Sequence, residues 1–165
     1  MNPENALAAV AGVAATFVGF TGVIFAVGRF SQGNWTTPER NALGNLLMPS
    51  LLALFMALFP LALLASVESS AMIWRIANSL LALIHLPLVS SALWRAVRSE
   101  LAEPIPLRFV LIPGGYVSVV ASSVVALGVF SRFGAAVFTA GLVWFLVVAA
   151  TQFVMLIMPP MHPKE

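Results

Sequence analysis

Among the ionisable side chains of this chain, His85 alone sits deep inside a long apolar run, near the middle of Ile73–Val97. An imidazole there could move a proton, hold a ligand or line a pore. Asn78 and Ala82 share its face at helical spacing. A neutral imidazole is also far cheaper at membrane depth than a charge, and one serine or backbone carbonyl satisfies it. A structural role and a proton, ligand or pore role therefore both stay open. Pro87, two residues on, cannot donate and should release a carbonyl near Leu83 for a neighbour.

The other groups that carry chemistry are placed unfavourably for catalysis. All six acids, Glu4, Glu39, Glu68, Glu100, Glu103 and Glu165, lie outside or at the ends of apolar runs, so no intramembrane carboxylate pair forms. No GxSxG, HExxH, Walker or dinucleotide loop occurs. The absence of cysteine removes disulfides, thiolate chemistry and Cys-based zinc sites. A haem held by His85 and His162 would need the tail to fold back across its prolines. The expectation is a protein that is not an enzyme and carries no cofactor or metal. Its eight basic residues are scattered at helix ends and its net charge is only +2, which argues against nucleic acid.

A second pattern concerns packing. At alternating steps of four and three, Ala8, Gly12, Ala15, Gly19, Gly22 and Ala26 form one small-residue face, closed by Arg29. Val13, Phe17, Phe20, Ile24 and Val27 make the other face bulky. Small stripes let helix backbones approach closely in lipid, and the seven-residue repeat favours a left-handed crossing. The stripe fits a helix packed centrally within one subunit, or one lining a subunit interface or pore with Arg29 at its inner mouth.

Weaker marks remain. Pro49 and Pro60 should kink one helix on nearly the same face. Pro113-Gly114-Gly115 is either an interfacial helix start or a cavity-lining break. Ser118, Ser122 and Ser123, and Thr151 with Gln152, read as interhelical hydrogen-bond glue, and Trp144 as a packing residue.

These residues are positioned by five apolar runs, about 6–27, 43–67, 73–97, 109–130 and 134–158, each of at least 22 residues. At about 1.5 Å per residue, each is long enough for a hydrocarbon layer about 30 Å thick. None alternates apolar and polar residues as a barrel strand does, so helices are expected. Hydrophobic residues make up 61% and charged residues 8%, too little polarity to cover a soluble domain. The expected fold is an all-α, polytopic transmembrane bundle over residues 1–165, with five spans or, if one run fails to cross, four. The first run lacks a basic amino-terminal flank and exceeds a usual signal-peptide core, so it reads as a retained span.

Connections are short. Thr37-Pro38-Glu39 combines a capping hydroxyl, a first-turn proline and an acid, so the second helix should start before Leu43. Arg98–Arg108 is the longest linker, Ser131-Arg132-Phe133 a tight turn, and 159–165 a disordered tail rich in proline. Trp35, Trp74 and Trp94 fall near interfaces, as anchors do. Arg29, Arg40, Arg95, Arg98, Arg108 and Lys164 lie towards one side and Arg75 and Arg132 towards the other. That bias places the amino terminus outside and the carboxyl terminus in the cytoplasm. A faint inverted repeat links Ala26–Phe30 with Val129–Phe133, which would suit two pairs of helices around the third.

The segment Ala14-Ala15-Thr16-Phe17-Val18-Gly19-Phe20-Thr21-Gly22 followed by Gly28-Arg29 resembles the first span of small bacterial multi-span inner-membrane proteins of unknown function. The closing Gln152-Phe153-Val154-Met155-Leu156 is similar to their last span. The resemblance implies a bacterial inner-membrane location and brings no activity with it. Gly19-Phe20 also resembles the pore helix of store-operated calcium channels of the Orai type. There a selectivity glutamate follows eight residues after the glycine, and Val27 stands at that place here, so no calcium function carries over.

The expected function is a subunit of a homo-oligomeric channel or small-solute pore in contact with the bilayer. Excess arginine at the inner mouth and the lack of an intramembrane acid favour anions or neutral solutes. The alternative is an accessory or scaffolding membrane protein with no transport activity.

Overall fold

The computed structural model describes residues 2–32, 37–64, 69–98 and 105–157. Among them are five α-helices: α1 (Pro3–Gln32), α2 (Thr37–Leu64), α3 (Ser70–Val97), α4 (Ile105–Ala126) and α5 (Gly134–Ile157). A short 3-10 turn, Ser131–Phe133, precedes α5. All five helices are long and apolar enough to cross a membrane, and the protein is a multi-pass helical membrane protein.

Several expected boundaries hold. α2 starts at Thr37, six residues before the apolar run, as its proline and acid direct. The fourth helix stops at Ala126 rather than Phe130. The chain then turns through Gly128 at φ 91° and Phe130 at φ 56°, left-handed conformations that no helix can continue. The α3–α4 linker is shorter than expected, because Ile105 is already helical. Pro49, Pro60, Pro87 and Pro113 all lie inside continuous helices. The tail 159–165 and Trp35 lie outside the described residues.

α5 occupies the centre and touches all four other helices. Among the described residues α1 packs only on α2 and α5, the helical neighbours of α4 are α3 and α5, and α2 meets α3 across the remaining side. One expectation is corrected by this arrangement: the first helix is not the central one.

The fully packed core fills one half of the bundle. It joins Leu7, Val10 and Ala14 of α1, Ala53 and Ala57 of α2, Trp74, Ala77 and Leu81 of α3, and Phe138 and Leu142 of α5. These lie towards the ends joined by the α4–α5 turn, the arginine-poor face. Trp74 belongs to this core, with its ring centroid 6.1 Å from that of Phe138, rather than anchoring at an interface. Trp94 is exposed and carries Arg98 4.4 Å from its ring centroid, as an interfacial indole would.

Candidate functional site

The other half of the bundle holds a half-open cavity of about 160 Å³ lined by α2, α3, α4 and α5. Asn45, Met48 and Pro49 form the α2 wall, and Leu88, Val89, Ser91 and Ala92 the α3 wall. Leu111 and Ile112 close the α4 side, and Phe145, Val148 and Gln152 the α5 side. Arg95, in the last turn of α3, and Arg108, in the first turns of α4, also line it. They place two guanidinium groups at the end nearest the arginine-rich face.

His85 lines the deep end. It is 3% exposed and its ring centroid lies 4.5 Å from that of Phe145. Its Nδ1 has no hydrogen-bond partner among the described residues. Neither a serine nor the carbonyl that Pro87 frees supplies one among the described residues, and α3 continues through Pro87. Gly115 lies beside the ring: a Cβ there would stand 2.6 Å from Val89 Cγ2, so glycine lets α4 come this close to α3, and 3.6 Å from His85 Nε2, an ordinary contact. Gly114 does the same for the Trp144 ring, into which a side chain would collide.

Pro113-Gly114-Gly115 is therefore neither a helix start nor a cavity-lining break. α4 runs from Ile105 to Ala126 without interruption, and the two glycines are notches that receive Trp144 and Val89. Pro113 itself is exposed on the outside of the bundle, where a missing N–H is tolerated.

Asn78 is not gathered with His85. Its Nδ2 donates to the Trp74 carbonyl at 2.8 Å and to the Gly134 carbonyl at 3.0 Å, fastening the start of α5 to α3. Seven residues, about 10 Å of helix, separate the two side chains. Ser118 and Ser122 do not act as hydrogen-bond glue through their hydroxyls, which are buried without a partner among the described residues. Their smallness is what matters: a Cβ on Gly141 would lie 3.0 Å from Ser118 Oγ. Thr151 donates to its own helix at Val147, 2.8 Å, while the buried Gln152 faces the cavity.

The small-residue face of α1 lies outside this site. Gly12, Ala15, Gly19, Gly22 and Ala26 are exposed, and a Cβ at Gly12, Gly19 or Gly22 would meet nothing within 4 Å. Central packing of the stripe within one subunit is thus corrected: Leu7, Val10, Ala14 and Thr21 face the bundle instead. The side chain of Arg29 lies outside the described residues.

Arg75 has a role that the sequence did not signal. Its Nε donates to the Ala126 carbonyl at 3.3 Å, and its guanidinium lies beside Gly128. It caps the carbonyl end of α4, where a cation is favoured. Its partner is 51 residues away, so no local pattern reveals it.

What the site can do chemically follows from these parts. It offers apolar walls, two cationic groups at one end and an imidazole at the other, with no carboxylate among the described residues that line it. That combination can hold a small solute with an apolar body and a polar or anionic end. No protein family, curated protein or solved structure matches the chain.

Proposed function

We propose that the protein is a subunit of a homo-oligomeric inner-membrane channel or small-solute pore, entered from the arginine-rich face. The observation that carries the reading is the cavity reaching from Arg95 and Arg108 to His85 at mid-span. Polar groups at that depth are expensive, and two arginines with no acid among the described lining residues favour anionic or neutral solutes over divalent cations. The open stripe on α1 supports assembly, because its glycines have no neighbour within the subunit to pack against. Pro49 on the cavity wall and Pro87 beside it each remove a helical hydrogen bond, so α2 and α3 are the helices able to bend. By the arginine bias, the mouth faces the cytoplasm.

One observation favours the alternative, an accessory membrane protein with no transport activity. The cavity lining ends at His85 and Phe145, and the next turn is filled by Leu81 and Leu142, both 0% exposed. Purified full-length protein decides between the two. The channel reading expects an oligomer in detergent and flux of small anions or uncharged solutes from liposomes. A monomer without flux supports the accessory reading and removes the channel.

A further inference from the structure

The cavity deepens the reading just given, on which its physiological meaning rests, by restricting what can occupy it. Its volume of about 160 Å³ is close to that of a cavity, about 150 Å³, known to hold one benzene molecule. Its walls are mostly apolar, with Met48, Leu88, Leu111, Ile112 and Val148 along its length. An inorganic anion would leave those walls in contact with water. A purely apolar solute would not match the positive charge that Arg95 and Arg108 place at one end.

We propose that the cavity binds an organic monocarboxylate whose apolar body has about six carbon atoms. The carboxylate sits at Arg95 and Arg108, and the apolar end rests against Phe145 and His85. A guanidinium can hold both carboxylate oxygens at once, and it does so more strongly where neighbouring walls exclude water. The two arginines come from the end of α3 and the start of α4, so the same contact joins two helices whose connection lies at the mouth. Benzoate and hexanoate have the right charge and bulk. A long-chain acid or an acidic lipid could place its headgroup at the same arginines with its chain leaving through the open side of the cavity. The arginine chemistry is shared, and the two sources separate by experiment.

The full-length protein in zwitterionic phosphatidylcholine nanodiscs is titrated calorimetrically with benzoate, hexanoate, acetate and benzyl alcohol. Benzoate and hexanoate are expected to bind on the order of tenfold more tightly than acetate, which lacks the body, and benzyl alcohol, which lacks the charge. Arg95→Gln should weaken benzoate by about tenfold with the unfolding temperature unchanged. Ala92→Phe, which fills the cavity and leaves both arginines in place, should also abolish benzoate binding and keeps the test decisive if Arg95→Gln misfolds. Benzyl alcohol binding as tightly as benzoate, or Ala92→Phe binding benzoate normally, overturns the proposal. So does loss of benzoate binding in phosphatidylglycerol nanodiscs, which assigns the arginines to lipid. Benzoate binding without any liposome flux keeps this site and removes the channel. Flux of other solutes with no benzoate binding does the reverse.

Discussion

A methyl group added at Gly134 would stand 2.6 Å from Trp74 Cβ, while one added at Gly19 would meet nothing within 4 Å. The Cβ of a buried tryptophan cannot move aside without shifting α3, so Gly134→Ala should cost about 1–3 kcal/mol. Gly141→Ala should cost less, because its nearest neighbour at 2.7 Å is the Cδ2 end of the flexible Leu81 side chain. Gly19→Ala should stay within about 0.5 kcal/mol, as substitutions on open surfaces do. Thermal unfolding of the three variants in one detergent checks the order, and equal losses at Gly134 and Gly19 would contradict the packing described. His85 obeys a different balance. Its Nδ1 is buried without a hydrogen-bond partner among the described residues, an arrangement that costs folding about 1–3 kcal/mol. His85→Leu should therefore keep or raise the unfolding temperature while reducing liposome flux by about tenfold or more. A fall in stability with unchanged flux would make His85 a packing residue. The sequence singled out His85 and Gln152 because polar groups stand out in an apolar run. It could not show which glycines are notches, since the partners of Gly114 and Gly134 are Trp144 and Trp74, far along the chain.

At the scale of helices, the number and approximate ends of the spans were legible, because each apolar run is bounded by proline, charge or polar residues. Their neighbours were not. In a soluble protein the apolar face of a helix reveals the core, but lipid is as apolar as a protein interior and rewards no such segregation. The small stripe of α1 looked like a centre, yet α5 is the helix in contact with every other. The arrangement separates two variants of α1 that seem alike on paper. Ala14 is fully buried, so Ala14→Leu should force α1 away from the bundle and lower the unfolding temperature of the subunit. Gly19→Leu should leave the subunit fold intact and, if the stripe joins copies of the chain, dissolve the oligomer seen by cross-linking. An oligomer that survives Gly19→Leu would mean that the stripe faces lipid, and assembly would have to use another face.

The whole molecule is built of unequal halves, a packed core towards the arginine-poor face and a cavity towards the arginine-rich one. Composition could not disclose that polarity, because Leu, Val and Phe are plentiful in both halves, and only the partners of each residue differ. The charge pattern does bear on how the molecule sits. Five crossings would put Pro3 and Ile157 at opposite faces, and the bias of six basic residues against two predicts that the mouth of the cavity faces the cytoplasm. Reporter fusions ahead of α1 and after α5 should therefore read opposite compartments, with the carboxyl-terminal one cytoplasmic. Both reporters in one compartment would mean that a helix fails to cross. The helix with least margin is α4, whose apolar stretch Leu107–Ala126 has 20 residues, about 30 Å of helix for a layer of about that thickness. A cysteine scan settles which face the cavity meets, since the chain has no cysteine of its own. Ser91→Cys, on the cavity wall, should react with a small aqueous reagent from the cytoplasmic side alone, and benzoate should slow the reaction. Labelling from the outside would invert the orientation argued from charge while leaving the cavity itself unchanged.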